Sequence, residues 1–300
     1  MQERPFVTVV TATYNWPSVL RLAIQTVLQQ TFRDFEYIIV GDCCTDETEE
    51  VVRSFDDPRI IWRNLPVNSG NQAFPNQVGL EMARGQVVAY MNHDDLWFPD
   101  HLETLEGEIR RGHDIVSSLA IQIPPPGEHY YGVLGLPYPT VEGGFEPTWA
   151  VATSVMHTLE AAHAVGGWRD WRELEEVPTV EFFQRLRRRR GAHAVLQYAT
   201  ALKFHSADRP GSYRRKDAGE QEYYTTRMQT DPELRHDLLA RALVCNSVGM
   251  QWNWVAPTAP PGAPPGWRIA QLRRARGLDP MMELGEAATP EAGDRPSPEL

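Results

Sequence analysis

The segment FVTVVTATYNWPSVLRLAIQTVL, residues 6–28, contains the first strand and the first helix that the sequence predicts. Residues 6–12 are rich in β-branched side chains and apolar on both faces, which is typical of a buried parallel strand. After a turn at residues 13–16, apolar side chains recur at helical spacing from Pro17 onwards, and proline suits the first position of a helix. The segment therefore predicts a β-strand followed by an α-helix.

The alternation of strand and helix continues to residue 119. Further strands are predicted at residues 35–40, 59–63, 86–91 and 114–119, and further helices at residues 46–54, 75–84 and 99–111. Strands that alternate with helices form right-handed β-α-β units and a mostly parallel sheet flanked by helices. The sequence therefore predicts the α/β class, in which ligands bind beyond the carboxyl ends of the strands.

The sequence beyond residue 119 is less regular. Residues 120–217 contain a stretch rich in Pro and Gly at 122–147, together with short helices and a strand, and residues 218–255 contain two predicted helices. Residues 256–300 combine PTAPPGAPPG with an acidic tail, and neither buries enough apolar surface to order itself. We therefore predict an α/β half at 1–119, a second half at 120–217, C-terminal helices at 218–255, and a Pro-rich linker and flexible tail at 256–300.

The composition excludes some ligands and compartments. The net charge of −11 argues against general affinity for nucleic acid, because phosphate backbones are bound by clustered basic side chains. The three cysteines, of which Cys43 and Cys44 are adjacent, are not spaced for a disulfide framework or a zinc site. With no signal peptide and no apolar stretch of membrane-spanning length, we expect a cytoplasmic protein that is at most peripheral to a membrane.

Three carboxylates follow predicted strands. Asp42 comes after the strand at 35–40, and Asp94 and Asp95 come after the strand at 86–91. Adjacent carboxylates repel each other, and a divalent cation that prefers hard oxygen ligands, Mn²⁺ or Mg²⁺, is a reason to keep them. Two alternatives remain open: a surface turn for the Asp94–Asp95 pair, and helix capping for Asp42.

The order of these segments resembles a known family. The strings VTVVTATYN (7–15), VLQQTFRDFEYIIVGDCCTDET (27–48), NSG (68–70) with Asn76, and ARGQVVAYMNHDDLWFP (83–99) are similar to the family 2 glycosyltransferases, which have the Rossmann-like GT-A fold. The resemblance implies that residues 1–119 bind a nucleoside diphosphate sugar and that residues 120–217 bind the acceptor. Two positions depart from the family pattern and leave the donor base open: Asn92 replaces an acid, and GDCCTD (41–46) replaces an Asp-rich turn that contains Gly and Ser.

The resemblance also implies roles for individual residues. Those that would bind the nucleoside are Thr13, Tyr14, Asn15, Asp42 and Asn76. Asp94 would lie near the ribose or the sugar and is also a candidate metal ligand, while Asp95 would bind the metal that bridges the diphosphate. His205 resembles by position a histidine that completes the metal shell, and Arg209 is one of the nearby basic residues that would cover the diphosphate. For His205 a half-buried loop histidine is the alternative.

The catalytic base is the least defined part of the pattern. In the family, an acidic pair on a helix follows a Gly-Gly-aromatic turn and supplies the base for inverting transfer, and Gly166-Gly167-Trp168 matches that turn. The closest alignment of WRELEEVPTVEFFQRL (171–186) puts Pro178 and Thr179 at the acidic positions. The candidates for the base are therefore Glu175, Glu176 and Glu181. We favour Glu176, because a residue just before a helix can point into a cleft; solvated charge is the alternative for each.

Several rings have two interpretations. His93 either contacts the donor phosphate or faces solvent. The tryptophans of the two halves are candidates for a platform that stacks a sugar ring or for the core: Trp97, Trp149, Trp168 and Trp171.

These features predict an enzyme that moves a sugar from a nucleoside diphosphate sugar to a hydroxyl of a glycan, lipid-linked or small-molecule acceptor, with Mn²⁺ or Mg²⁺ and a carboxylate base. By family analogy the anomeric configuration inverts, and a homo-oligomer is compatible with the sequence. Two alternatives stay open. A nucleotidyltransferase would need a Gly-rich loop with Lys or Arg where the chain has TATYNWPS (11–18), and a non-catalytic nucleotide-sugar-binding protein would need no base.

Overall fold

The computed structural model describes residues 4–139, 145–147, 151–190, 193–247 and 259–282. The first half alternates strands and helices as the sequence predicts, with one short extra strand, β5. Its strands are β1 (Val7–Thr13), β2 (Phe35–Gly41), β3 (Ile60–Asn64), β4 (Val87–Tyr90), β5 (Leu96–Trp97) and β6 (Ile115–Gln122), and its helices are α1 (Pro17–Leu28), α2 (Thr48–Arg53), α3 (Ala73–Met82) and α4 (His101–Arg110).

The described residues after β6 form four short strands, one long strand and the remaining helices. The strands are β7 (Gly132–Leu134), β8 (Pro137–Pro139), β9 (Phe145–Pro147), β10 (Val155–Thr158) and β11 (His193–Lys203). The helices are α5 (Leu159–Ala164), α6 (Pro178–Arg190), α7 (Ser212–Arg215), α8 (Gly219–Thr230), α9 (Leu234–Ser247) and α10 (Trp267–Ala275). The Pro- and Gly-rich stretch at 122–147 thus includes the short strands β7, β8 and β9.

One mixed sheet forms the centre of the molecule, with strand order β3-β2-β1-β4-β10-β6-β11-β5 and β7 paired to β6. The pairs β3–β2, β2–β1, β1–β4 and β6–β11 are parallel. Strand β10 lies antiparallel between β4 and β6, and β5 is antiparallel to β11. The α/β class is confirmed. The antiparallel strand β10 comes from the less regular sequence beyond residue 119, and β5 is the short extra strand of the first half.

Strand β1 is buried on both faces, as its apolar pattern predicts. Val7 and Val9 belong to the core cluster that includes Ile24 of α1. Val10 faces the other layer and packs with Leu80 of α3. Helix α3 approaches β1 closely at Gly79, where a Cβ atom would lie 2.4 Å from Val10 Cγ1. A larger residue at this position would therefore push the helix away from the sheet.

The parallel register brings the ends of three strands to one edge. Val7 of β1 is in register with Phe35 of β2 and with Val87 of β4, and the three strands run in the same direction. Their carboxyl ends therefore lie side by side, followed by residues 13–16, by Asp42 and by residues 92–95. This edge is where a sheet of this class binds ligands.

Helix α10 lies within the stretch that the sequence predicts as a linker and tail. Its buried residues Ile269 and Leu272 pack with Trp171. The backbone N–H of Gly266, just before the helix, donates to the carbonyl of Leu174 at 2.7 Å. Apolar residues at helical spacing after the Pro-rich stretch supply this packing face, which the composition of the whole tail obscures. No helix in the described part of the chain is both long and apolar enough to span a membrane.

Candidate active site

A cavity of about 200 Å³ opens at the carboxyl ends of β1, β2 and β4. Its walls come from the turns after these strands, from the end of β11, from residues 177–180 at the start of α6, and from α10 with the residues that follow it. Of the residues with assigned roles, those that line the cavity are Thr13, Tyr14, Asp42, Asp94 and His205. Four separate segments of the sequence therefore supply these residues to one site.

Asp42 is held at the end of β2 by the loop that follows β3. Its carboxylate accepts hydrogen bonds from the backbone N–H groups of Ser69 (2.7 Å) and Gly70 (3.1 Å). Burial raises the pKa of Asp42 above its usual value, although these hydrogen bonds and the charge of Arg273 act in the opposite direction. The buried carboxylate is fixed in position and faces the cavity, which does not fit a simple capping role.

A hydrogen-bonded row of side chains forms one wall of the cavity. Nδ1 of His93 lies 2.9 Å from the hydroxyl of Thr13, and Nε2 lies 3.0 Å from the hydroxyl of Tyr213. His93 is buried, and burial is the main reason why its pKa lies below the usual value. A neutral imidazole donates through one nitrogen and accepts through the other, so His93 joins Thr13 to Tyr213 rather than facing solvent.

The two adjacent aspartates have different surroundings. Asp95 is fully buried, and Lys203 Nζ donates to both of its oxygens at 3.0 and 3.1 Å. The same carboxylate accepts hydrogen bonds from the backbone N–H of Phe204 (2.9 Å) and from Asn92 Nδ2 (2.8 Å). Asp95, which the resemblance assigns to the metal, therefore has its oxygens occupied within the fold and does not line the cavity. These partners, from the end of β11 and from the turn after β4, make Asp95 a structural residue.

Asp94 is the carboxylate of the pair that faces the cavity. Its Oδ1 lies 4.0 Å from Lys203 Nζ, beyond hydrogen-bonding distance. Burial opposes the ionisation of Asp94, but nearby positive charge, that of Lys203 above all, outweighs it and holds the pKa below its usual value. Asp94 is therefore ionised at neutral pH and is the aspartate available to a ligand.

His205 lines the same cavity two residues after the end of β11. Burial, with help from the charges of Lys203, Arg209 and Arg276, lowers its pKa well below the usual value, so the imidazole is neutral, as a metal ligand requires. Among the described residues no group of three or more His, Cys, Asp or Glu side chains converges on a point. Asp94 and His205 would thus be two protein ligands, a number that fits a cation whose other ligands are substrate phosphates and water.

Two residues given ligand roles by the resemblance lie outside the cavity. Arg209 donates to both oxygens of Glu220 at 2.7 Å and to the backbone carbonyls of Ile123 and Pro124 at 3.2 Å. Its guanidinium is therefore committed to linking the segment before α7 to α8. Asn76 is buried within α3 and does not line the cavity, whereas the preceding residue, Pro75, does.

Asn15 supports the site from outside the cavity. Its φ angle is 44°, in the left-handed region that asparagine tolerates better than most residues. Its side-chain oxygen accepts a hydrogen bond from the backbone N–H of Thr45 at 2.8 Å. Asn15 thereby ties the turn after β1 to the turn after Asp42, and the prediction that it contacts the nucleoside directly stays a prediction.

None of the three candidate bases lines the cavity. Glu176 forms an ion pair with Arg268 of α10 at 2.7 Å, and Glu181 pairs with Arg185 at 2.5 Å and with Arg169 at 3.2 Å. Glu175 is exposed. The neighbouring residues 177–180 do line the cavity, including Pro178 and Thr179. Pro178 and Thr179 thus stand at the cavity wall and the three glutamates lie outside it, while the identity of the base stays a prediction.

We expect Glu176→Gln to leave sugar transfer within about 3-fold of the wild-type rate, because a partly exposed ion pair contributes only about 0–1 kcal/mol and no reacting group is lost. Steady-state transfer and the melting temperature of the variant measure the two effects. Glu181→Gln, which also removes an ion pair outside the cavity, is the matched control. A loss of about 100-fold with donor affinity retained would instead identify Glu176 as the base.

Three of the four candidate platform tryptophans are core residues. Trp97 and Trp171 are about 1% exposed and Trp168 is 5% exposed, and Trp149 lies outside the described residues. Trp168 follows the predicted Gly-Gly turn, in which Gly167 has a φ of 65° and a Cβ atom would lie 2.1 Å from Gln77 Oε1. The backbone N–H of Trp168 donates to that same oxygen at 2.8 Å. The turn therefore requires glycine, and it positions the start of the segment that leads to α6.

Three cationic side chains of the cavity are absent from the sequence-based site: Lys203, Arg273 and Arg276. Lys203 stands two residues before His205 and was a detectable neighbour of that candidate. Arg273 and Arg276 are three residues apart in WRIAQLRRARGL (267–278), a spacing that places them on one side of a helix. Because residues 256–300 were predicted as a linker and a flexible tail, Arg273 and Arg276 were not candidates for the site.

Comparison with known proteins identifies the family. Residues 8–157, half of the chain, match the family model described as Glycosyl transferase family 2. The chain is 37% identical over 102 residues to TuaG of Bacillus subtilis (strain 168), a glycosyltransferase assigned to teichuronic acid biosynthesis, with 33% of this chain and 40% of TuaG covered. It is 30% identical over 91 residues to the Escherichia coli UDP-Glc:alpha-D-GlcNAc-diphosphoundecaprenol beta-1,3-glucosyltransferase WfaP, with 30% of this chain and 36% of WfaP covered. The chain thus spans two fifths or less of these relatives' length.

Solved structures of glycosyltransferases share the fold. The Staphylococcus aureus protein TarS, residues 1–349 in complex with UDP-GlcNAc, superposes with a TM-score of 0.54 at 16% identity, covering 79% of this chain and 71% of that one. The mannosyltransferase PcManGT from Pyrobaculum calidifontis, in complex with GDP-Man and Mn²⁺, superposes with a TM-score of 0.53 at 14% identity, covering 84% of this chain and 77% of that one. The architecture is the GT-A fold.

Proposed function

Because this chain belongs to glycosyltransferase family 2, we propose that it moves a sugar from a nucleoside diphosphate sugar to an acceptor hydroxyl. The observation that carries the proposal is the meeting of Asp42, Asp94 and His205 in one cavity at the carboxyl ends of parallel strands. Family membership also speaks against the nucleotidyltransferase alternative.

The nucleoside would bind at the Asp42 side of the cavity. Asp42 is held by the backbone of Ser69 and Gly70, and a fixed carboxylate accepts hydrogen bonds from a base or a ribose. Tyr14 and Thr13 line the adjacent wall, from the turn after β1. TarS and PcManGT, which have this fold, were solved with UDP-GlcNAc and GDP-Man, and these ligands support a nucleotide sugar as the donor class.

Asp94 and His205 would hold a divalent cation, Mn²⁺ or Mg²⁺, which supplies charge neutralisation for the leaving diphosphate. Asp94 offers an ionised carboxylate and His205 a neutral imidazole, and both line the cavity. PcManGT was solved with Mn²⁺, which supports a divalent metal. In this assignment Asp95 keeps Lys203 in place behind the site and does not bind the cation.

The acceptor would enter where residues 177–180 meet residues 151 and 152. An acceptor hydroxyl would attack the anomeric carbon there while the bond to the diphosphate breaks. The diphosphate leaves with the bonding electron pair, and the hydroxyl proton passes to water. Inversion at that carbon, the class of acceptor, a cytoplasmic location and a homo-oligomer stay predictions.

One observation favours a second candidate function, nucleotide-sugar binding without transfer. Glu175, Glu176 and Glu181 lie outside the cavity, and Pro178 and Thr179 occupy the positions at its wall. The carboxylates among the described cavity residues, Asp42 and Asp94, are assigned to the donor. Nucleotide-sugar turnover in the presence of acceptor extracts separates this candidate from an active transferase.

The donor assignment is tested by thermal stability with a panel of nucleoside diphosphates. We expect one of UDP, GDP, dTDP, CDP and ADP to raise the melting temperature by several degrees when Mn²⁺ or Mg²⁺ is present, since a ligand at 100 times its Kd stabilises by about 2.7 kcal/mol. Excess chelator should remove most of the effect, because the net charge of −11 opposes binding of a diphosphate without a metal. Failure of all five, with either metal, would contradict the proposed function.

A further inference from the structure

We propose that Arg276, directly after α10, binds the diphosphate of the nucleotide-sugar donor. This inference rests on the proposed function and assigns a donor-binding residue more than a hundred residues beyond the segment that matches the family model, residues 8–157. It makes α10 part of the donor site.

Of the cations that line the cavity, two are already engaged with protein atoms. Lys203 donates to both oxygens of Asp95. Arg273 is buried, and it donates through Nε to the carbonyl of Asp279 at 2.6 Å and through Nη1 to the carbonyl of Gly70. These contacts hold α10 against the loop that carries the Asp42 hydrogen bonds, and they leave neither residue with its full set of donors.

Arg276 differs from both. Its Nε is buried and has no hydrogen-bond partner among the described residues. A buried donor without an acceptor is unfavourable, and a guanidinium fork has the geometry that phosphate oxygens match. Arg276 therefore presents unused donors to a cavity that also contains the proposed metal ligands.

Its position follows from its neighbours. The carbonyl of Arg276 accepts from the N–H of Tyr213, and the hydroxyl of Tyr213 lies 3.0 Å from Nε2 of His93, the residue before Asp94. Arg276, Asp94 and His205 all line the cavity, so the guanidinium shares it with the proposed ligands of the cation.

Hydrogen bonds fix the backbone around Arg276, so this residue is already at the cavity before a ligand binds. The N–H of Arg276 donates to the carbonyl of Leu272 at 3.2 Å, and its carbonyl accepts from the N–H of Tyr213 at 3.4 Å. The N–H of Gly211 donates to the carbonyl of Ala275 at 3.1 Å. These bonds tie the end of α10 to the segment that follows His205, and a preorganised arginine loses less entropy when it binds.

A diphosphate has two sources in this reaction class, the donor and a lipid-linked acceptor. The position beside Asp94 and His205 favours the donor. The experiment therefore compares Arg276→Ala with Arg274→Ala, an exposed arginine of the same helix, by calorimetry with Mn²⁺. The probes are the nucleoside diphosphate that stabilises the wild type, the corresponding nucleoside monophosphate, and inorganic pyrophosphate.

We expect Arg276→Ala to weaken binding of the nucleoside diphosphate and of pyrophosphate by about 10- to 100-fold, as loss of charge-assisted hydrogen bonds implies. Binding of the monophosphate should change by less than about 3-fold, since Arg276 then loses one contact at most. Arg276→Lys should recover part of the affinity, and Arg274→Ala should match the wild type. If Arg276→Ala does not fold, Arg276→Gln takes its place, because it keeps much of the side-chain bulk.

Each other outcome overturns the inference. Unchanged diphosphate affinity would show that Arg276 does not bind the donor, and a change confined to the KM of a diphosphate-bearing acceptor would assign it to the acceptor. Equal loss for monophosphate and diphosphate would mean a structural role. If the wild type binds no nucleoside diphosphate at all, the proposed function fails and the inference fails with it, which the wild-type titration alone reveals.

Discussion

Asp94→Asn is expected to reduce sugar transfer by about 10³-fold or more, because charge stabilisation by a bound metal is worth several kcal/mol and each 1.4 kcal/mol or so is tenfold in rate. The substitution keeps the shape of the side chain but removes the ionised carboxylate that lines the cavity. Release of nucleoside diphosphate from the donor at saturating Mn²⁺ measures the effect.

The matched control for this variant is Asp34→Asn, which removes one exposed carboxylate just before the amino end of β2, whereas the cavity opens at the carboxyl ends of the strands. It should turn over like the wild type. Asp94→Asn should lower the melting temperature only slightly, because it loses a charge interaction with Lys203 at 4.0 Å but no hydrogen bond to that residue. Full activity of Asp94→Asn would contradict its assignment as a metal ligand.

Asp95→Ala is expected to destabilise the fold, by about 3–5 kcal/mol, because it breaks a buried ion pair and leaves Lys203 with an uncompensated charge. The N–H of Phe204 and the amide of Asn92 lose their acceptor as well. Urea unfolding followed by circular dichroism gives the free energy of unfolding. The adjacent carboxylates thus have opposite expected phenotypes, loss of turnover for one and loss of stability for the other.

A double substitution tests whether the uncompensated charge of Lys203 causes the loss of stability. Asp95→Ala combined with Lys203→Met removes both charges, and it should recover part of the stability that the single variant loses, since replacing both partners by apolar groups is tolerated better than removing one. If Asp95→Ala is as stable as the wild type but loses metal-dependent activity, Asp95 is a metal ligand and the structural role assigned to it is wrong.

The first half of the fold was predictable because its information is local. The apolar run of β1 and the helical spacing after Pro17 each specify one element, and the rule that ligands bind at carboxyl strand ends places Asp42 and Asp94 at one edge. Both residues line the cavity. Thr13 and Tyr14 follow from the same rule.

The distinction between Asp94 and Asp95 was not predictable from the sequence. The partner that engages Asp95 is Lys203, which is 108 residues away along the chain and becomes its neighbour only because β5 and β11 pair. Family resemblance assigns the metal to one of two adjacent carboxylates, and a shift of one residue exchanges a cavity-facing side chain for a buried anchor.

The surroundings of the candidate base Glu176 and the presence of helix α10 could not be predicted from the sequence, for a related reason. Glu176 points to Arg268, a residue of α10, and nothing in the segment around Glu176 indicates this contact. Helix α10 is nine residues long and follows a Pro-rich stretch, so composition predicts disorder although Ile269 and Leu272 pack on Trp171. Long-range packing that depends on a few apolar residues is invisible to composition.

The most direct test of the account is the release of nucleoside diphosphate from a panel of nucleotide sugars by the purified wild-type chain, with Mn²⁺ or Mg²⁺ and with excess chelator. We predict release from one class of nucleotide sugar, dependent on the metal and increased by an acceptor. Metal-independent release at the same rate would contradict the assigned role of Asp94 and His205. No release from any nucleotide sugar, despite metal-dependent binding of its diphosphate and a supply of acceptors, would contradict catalysis and leave the binding function.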